Sequence, residues 1–244
     1  MKRAIIIGAT SGIGQEVARL LVNSGWHIGI AGRRVERLKA FQKEFPDRIE
    51  IEAIDVTEEK SEEKFHALIE RLGGMDLFLL SSGIGFQNKN LIADIELSTI
   101  QTNALGFTRM TTVAFNFFKA QHHGHLAIIS SVAGTKGLGI APAYSATKRF
   151  QNIYIDALEQ LAHLEKLNIQ FTDIRPGFVA TDLLNDGKQY PLLMDKKSVA
   201  KKVLKAIDQK RRVIVIDYRY QLIVFFWRML PQFIWKRMPI KTKG

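Results

Sequence analysis

The chain of 244 residues is 46% hydrophobic and 24% charged, a composition that suits one full-sized core and excludes a disordered, collagenous or disulfide-stapled protein. With no cysteine, thiol catalysis, disulfides and thiolate metal sites are excluded as well, and the redox compartment is left open. The net charge of +11 is local, because residues 1–187 carry 20 basic against 21 acidic side chains and residues 188–244 carry 15 against 3. Met1-Lys2-Arg3 is followed by four apolar residues, 4–7, which are too few for a secretory signal and read as a first strand. Short apolar runs at 27–31, 49–54, 77–80, 126–129, 169–174 and 213–216 complete a predicted set of seven strands. The stretches between them, 13–24, 34–44, 58–72, 98–120, 143–166 and 198–208, have helical length and apolar spacing. Strands separated by helices demand right-handed crossovers, so the expected fold is α/β: a single-domain, Rossmann-like, doubly wound parallel sheet with helices on both faces. No linker or composition break falls before residue 187, and there is no internal repeat.

The first strand runs into Gly8-Ala9-Thr10-Ser11-Gly12-Ile13-Gly14, with a helix opening near Ile13. Such a turn needs glycine where φ is positive and where a Cβ would keep a pyrophosphate from the free N–H groups of the helix start. The spacing differs from the commoner dinucleotide fingerprint, and a tight turn without a ligand is the competing reading. About twenty residues on, a cofactor with a free ribose 2′-hydroxyl would meet an acidic side chain. Here the second strand ends in Ala31-Gly32-Arg33-Arg34, and guanidinium groups offer planar, charge-assisted donors to a 2′-phosphate, which favours NADP over NAD. The same arginines with Glu36, Arg37 and Lys39 also read as the start of a solvated helix. Asp55 reads either as a helix N-terminal acid or as a contact to an adenine amino group.

The fifth strand ends in Ser130-Ser131, and a helix then opens with Tyr144-Ser145-Ala146-Thr147-Lys148. Residues four apart share a helical face, and an ammonium beside a phenol stabilises the phenolate and draws its pKa toward neutrality. An ordinary surface pair is the alternative. These motifs, with Asn103 in Asn-Ala-Leu-Gly, Ile129 to Gly134 and Arg175-Pro176-Gly177-Phe178-Val179-Ala180-Thr181, stand in an order that resembles the short-chain dehydrogenase/reductase family over residues 1 to about 215.

The resemblance implies a role for each matching residue. Tyr144 would exchange a proton with the substrate oxygen, Ser131 would polarise that oxygen, Lys148 would hold the ribose and lower the Tyr144 pKa, and Asn103 would anchor a water in a proton relay. Gly8, Thr10, Ser11, Gly12, Ile13 and Gly14 would carry the phosphates and ribose, with Ser82 and Gly83 close to the cofactor. Arg33 and Arg34 would take the 2′-phosphate, Asp55 and Val56 the adenine, and Pro176, Gly177, Val179 and Thr181 the nicotinamide end. One motif departs from the pattern: Leu80-Ser81-Ser82-Gly83 stands where the family usually has Asn-Asn-Ala-Gly, which puts local ties between the central strands in question.

The implied reaction is hydride transfer between NADP(H) and a carbonyl or alcohol, with no metal. His122, His123 and His125, placed by the prediction in a loop before the fifth strand, read as an exposed turn. The expected substrate pocket, built from 84–86, 135–140 and 178–190, is mostly apolar, with Lys136 and Lys188 as its cations, and so favours an apolar small molecule. Division into a catalytic domain over 1–217 and an aromatic, basic extension over 218–244 is expected. In the extension, Arg228 and Pro231 break the apolar run short of a membrane span. Its Trp, Phe and Leu with Lys and Arg suit an interfacial helix on anionic lipid, or equally a cleft cover or subunit interface. A cytoplasmic homodimer or homotetramer without nucleic-acid partners, peripheral at a membrane through its tail, completes the expectation. A catalytically inactive nucleotide sensor or scaffold of the same fold is the alternative, and a Rossmann-like methyltransferase would leave Ser131, Tyr144 and Lys148 unexplained.

Overall fold

The computed structural model describes residues 1–184, 187 and 189–239. Its strands are β1 (Arg3–Ile7), β2 (His27–Gly32), β3 (Ile49–Ala53), β4 (Leu77–Leu80), β5 (His123–Ile129), β6 (Asn168–Pro176) and β7 (Val213–Ile216). They form one sheet in the order β3-β2-β1-β4-β5-β6-β7, with every pairing parallel. The helices are α1 (Gly12–Asn23), α2 (Val35–Glu44), α3 (Ser61–Leu72), α4 (Ala93–Ile100), α5 (Phe107–Gln121), α6 (Pro142–Leu164), α7 (Lys196–Asp208), α8 (Tyr218–Met229) and α9 (Gln232–Trp235).

Side chains alternate across each strand, so continuous apolar runs bury on both faces. Ala4, Ile6, Ile28, Ile30, Leu77 and Leu79 pack under α1, α2 and α7, and Tyr220 and Val224 of α8 join that layer. Ile5, Ile7, Phe78 and Leu80 face α3, α5 and α6. Phe78 stacks on Phe65 of α3 at 5.2 Å between ring centroids, and truncating it to Ala would cost about 3–5 kcal/mol.

The register brings the carboxyl ends of the central strands into one row. Ile7 lies opposite Ala31 on one side and Leu80 on the other, and Ile129 lies opposite Ile174. Strand order reverses between β1 and β4, which opens a crevice above that row, the place where such sheets bind ligands.

Two expectations are corrected. The fourth crossover is not one helix from residue 98: it starts at Ala93 and passes through a π-helical turn, Gln101–Gly106, before α5. There Gly106 sits so close to Val56 that a Cβ would lie 2.6 Å from its Cγ2, a tertiary contact with no periodic signature. Second, His123 and His125 belong to β5 and not to a loop, with only His122 in the left-handed turn that ends α5. His125 Nε2 meets Thr172 Oγ1 at 2.8 Å, and burial brings its pKa down to about 4.

Candidate active site

At the nucleotide end the glycines are required by geometry. Gly8 has φ +94°, and a Cβ on it would lie 2.4 Å from the Ser82 nitrogen, so any side chain there would strain the turn and push β4 away. A Cβ on Gly14 would lie 2.4 Å from the Gly8 carbonyl oxygen, which lets α1 start directly over the end of β1. Ser11 caps α1 in extended geometry without a side-chain cap bond, so the first-turn N–H groups are left for an anion. The ties to β4 are made by main chain: the Ser81 and Ser82 N–H groups both donate to the Ile7 carbonyl, at 2.8 and 3.1 Å.

The two arginines separate in role. Arg34 donates to Thr10 Oγ1, to Ser11 Oγ and to Asp182 Oδ2, the last at 2.7 Å, while Arg37 reaches the same Asp182 oxygen at 3.0 Å. These guanidinium groups, Arg34 foremost, hold the Asp182 carboxyl below its usual range. Arg33 has a side chain 64% exposed, and its Nη1 lies 3.9 Å from Asp55 Oδ2. Asp55 itself turns Oδ1 to the Thr57 N–H and hydroxyl, at 3.0 and 2.8 Å, closing the turn before α3. Val56 is buried beneath that turn.

Across the crevice, Ser131, Tyr144, Lys148 and Asn103 converge from the segment just after β5, from α6 and from the π-helical turn. Ser131 Oγ accepts from the Ala133 N–H at 3.1 Å and donates to the Pro176 carbonyl at 3.4 Å, and its hydroxyl favours the ionised form of the nearby Tyr144 phenol. Lys148 is 4% exposed and donates to the Ile129 carbonyl at 3.0 Å and to Gln151 Oε1 at 3.1 Å, with its Nζ 5.8 Å from the centroid of the Tyr144 ring. Asn103 uses its amide as a clamp on the Ile84 main chain, accepting at 2.9 Å and donating at 2.7 Å. Glycine at 85 lets the Tyr144 ring lie against this loop, since a Cβ would come 2.6 Å from its edge. A Cβ on Gly83 would lie 3.6 Å from Lys148 Nζ, so the loop after β4 passes close over the pair.

The electrostatics differ from expectation in one respect. Burial raises the Tyr144 pKa above its ordinary value, and Ser131 opposes the rise. The ammonium is turned to its two oxygen acceptors, and burial lowers its own pKa to about 8, against the field of Asp173.

Several participants gave no sequence signal. Gln151 is buried and links Lys148 to the Asn103 carbonyl, to which it donates at 2.9 Å. Asp173, fully buried, collects Ser130, Asn152 at 2.9 Å and Arg175 at 2.7 Å behind the site. Pro176 ends β6, and Gly177 is pressed against the Tyr220 ring, where a Cβ would lie 2.1 Å away. Val179 is buried and bridges Met194, while Thr181 Cγ2 would lie 3.2 Å from a Cβ on Gly12. The segment after β6 thus lies over the glycine turn. A cavity of about 280 Å³ opens between them, lined by Gly12, Thr181, Asp182, Leu184, Tyr190 and Lys196, beside the nucleotide end and not over Tyr144. Of the expected pocket cations, Lys136 donates to the Leu230 carbonyl at 3.0 Å, and Lys188 lies outside the described residues.

A doubly wound sheet, with a glycine turn at its switch point and a phenol, a hydroxyl and an ammonium gathered opposite, fits an oxidoreductase. The family described as short chain dehydrogenase matches residues 2–190, and the chain belongs to that family of oxidoreductases. It is 26% identical over 253 residues to an uncharacterized oxidoreductase of Mycobacterium tuberculosis, covering 99% of this chain and 96% of that one. It is 27% identical over 267 residues to dehydrogenase/reductase SDR family member 7B of Xenopus laevis, covering 98% and 81%. Among solved structures, ElxO with NADP bound matches with a TM-score of 0.79 at 21% identity, covering 91% of this chain and 99% of that one. An alcohol dehydrogenase from Thermococcus sibiricus, complexed with 5-hydroxy-NADP, matches at 0.80 and 22% identity, covering 91% and 98%.

Proposed function

We propose that the chain is an NADP(H)-dependent reductase of a carbonyl on a fairly apolar small molecule, or in reverse a dehydrogenase of the alcohol, with Tyr144 as acid and base. The observation that carries it is the gathering of Ser131, Tyr144 and Lys148 at the strand ends, with the buried Lys148 Nζ 5.8 Å from the centroid of the Tyr144 ring. The glycine turn and the first-turn N–H groups of α1 fit a pyrophosphate. Gly8, Thr10, Ser11, Gly12, Ile13 and Gly14 would hold that part, Asp55 and Val56 the adenine, Ser82, Gly83, Tyr144 and Lys148 the ribose, and Pro176, Gly177, Val179 and Thr181 the nicotinamide. The Arg33 fork, 64% exposed and paired with Asp55 only at 3.9 Å, fits a 2′-phosphate, with Arg34 next to it in the chain. NADP bound to ElxO and 5-hydroxy-NADP bound to the Thermococcus sibiricus alcohol dehydrogenase support the same choice.

A dinucleotide held by these residues would supply hydride. Tyr144 then gives its proton to the oxygen that gains charge, and Ser131 donates a hydrogen bond to it. Lys148 favours the phenolate left behind, once its ammonium faces a ribose hydroxyl and not only protein oxygens. Asn103 fixes the loop that faces this exchange. Residues 1–217 form the catalytic domain in this reading and 218–244 its extension. The exposed Leu97, Ile100, Leu105, Phe150 and Ile153 on α4, the π-helical turn and α6 suit a homodimer or homotetramer interface. A cytoplasmic place, with peripheral lipid contact through the extension, fits an apolar substrate.

Fluorescence titration with NADPH and NADH tests the cofactor: NADPH binds at least about tenfold more tightly, and Arg33→Ala removes most of that margin. Equal affinity of the wild type for both would end the NADP reading. Tyr144→Phe retains NADPH binding and loses turnover on any carbonyl compound the wild type accepts, and undiminished turnover would reject the catalytic assignment.

A further inference from the structure

We propose that residues 218–239 seat the protein on an anionic phospholipid surface with the mouth of the substrate cleft turned toward the bilayer, so that an apolar substrate enters from lipid. The entry route rests on the function proposed above, whereas the docking stands on the tail alone.

Helix α8 has two apolar faces. Tyr220 and Val224 turn inward to the core, while Leu222, Phe225, Phe226 and Met229, spaced at i, i+3, i+4 and i+7, stand 57–65% exposed on the outer face. Beyond Pro231, Phe233 is 63% exposed as well. An outer stripe of this kind has no role in folding and is costly in water. Among the described residues no helix is long and apolar enough to cross a membrane. With 12 residues, α8 is about 18 Å long and suits a helix lying in the interface plane.

Charge chooses the occupant. Residues 218–239 contain Arg219, Arg228, Lys236 and Arg237 and no acidic residue. Asp217, just before them, is bonded to Arg219 and feels Lys202 of α7. A second copy docked through this face would set the same cations against each other, whereas anionic headgroups complement them.

The orientation follows from what the tail grips. On one wall of the cleft, the Tyr220 hydroxyl accepts from the Phe178 N–H at 3.1 Å and donates to the Pro191 carbonyl at 3.0 Å. On the other wall, Trp235 Nε1 donates to the Gly137 carbonyl at 2.7 Å, and Lys136 reaches the Leu230 carbonyl. The segment therefore bridges both walls of the expected substrate pocket, which ties the position of the tail, and of whatever surface seats it, to the cleft. Leu192 and Leu193, both exposed beside the Tyr220 contact, continue the apolar rim.

The test uses the full chain, whose lack of cysteine permits single labels. Met229→Cys and Leu192→Cys carry a polarity-sensitive fluorophore at the tail and the rim. Leu164→Cys carries it at the far end of α6, beside the start of β6. With phosphatidylcholine vesicles containing phosphatidylglycerol, the first two labels shift to the blue and Leu164→Cys does not. Co-sedimentation is about tenfold weaker with pure phosphatidylcholine, at high salt, or for Phe225→Glu/Phe226→Glu, while NADPH affinity stays unchanged. Failure to sediment with phosphatidylglycerol vesicles, equal sedimentation of the double variant, or a shift at Leu164→Cys without one at Leu192→Cys would each overturn the proposal. So would ultracentrifugation showing a dimer that the double variant splits, since the stripe would then belong to a second copy. None of these readouts requires turnover, so a wrong cofactor or catalytic assignment would show separately.

Discussion

The two sides of the cleft are made from opposite materials. At the nucleotide side, backbone shape and exposed charge do the selecting: Gly8 and Gly14 leave no room for a side chain, and Arg33 stands in solvent. At the chemical side, Ser131, Lys148, Asn103, Gln151 and Asp173 are all buried and hydrogen-bonded to neighbouring protein groups. Exposed charge in high dielectric recognises a ligand at little cost to the fold, while buried charge shifts its own pKa.

The largest blow to this contrast is Tyr144→Phe. It should lower kcat by about a hundredfold to ten-thousandfold, with NADPH affinity held within about twofold, measured by steady-state kinetics and fluorescence titration. Gly8→Ala should act through the backbone instead, costing about 3 kcal/mol in chemical denaturation because φ +94° and the Ser82 contact must both yield, and it should weaken NADPH binding with them.

The buried side should reveal itself through pH. The Lys148 pKa of about 8 means that the ammonium is lost as pH rises through 8, so kcat/KM for carbonyl reduction should fall on that alkaline limb. Gln151→Leu removes an acceptor of the ammonium and should move the limb to lower pH, whereas a purely structural role for Gln151 would leave it in place. His125 offers a control away from the cleft. Its folded pKa of about 4 lies below the ordinary 6.5, so the unfolded chain binds a proton that the folded one refuses. Stability should be full above about pH 6.5 and fall by about 1–3 kcal/mol as pH drops to about 4, and His125→Asn should flatten that slope.

The smallest effect is expected at the exposed side. Asp182 holds Arg34 and Arg37 across the cavity mouth, with side chains roughly half exposed, so the pairing is weak. Asp182→Asn should free both guanidinium groups and tighten NADPH binding by about two- to fivefold, with no change for NADH. An equal change for both cofactors would show that Asp182 acts on the loop after β6 and not on phosphate recognition.

The order of elements was legible in the chain because burial on two faces leaves continuous apolar runs, and Gly8 to Gly14 and Tyr144 to Lys148 are contiguous motifs whose meaning depends on local spacing. The division of labour between Arg33 and Arg34 was not legible, since the partner that occupies Arg34 is Asp182, 148 residues away. The raised Tyr144 pKa could not be read either: a four-residue spacing places two side chains on one face but says nothing of the carbonyl and the amide to which Lys148 turns. Tyr220, assigned by composition to an extension, is packed on Gly177 through a contact across 42 residues to the Phe178 N–H.

What the sequence by itself determined is therefore what depends on period and local turn: seven strands, their parallel order of crossover, the glycine turn and the face shared by a phenol and an ammonium. Only the tertiary structure decided which carboxylate each guanidinium meets, which groups hold the ammonium, and where the basic aromatic end lies. These depend on desolvation and on pairing between residues far apart in the chain, neither of which leaves a repeat or a motif behind.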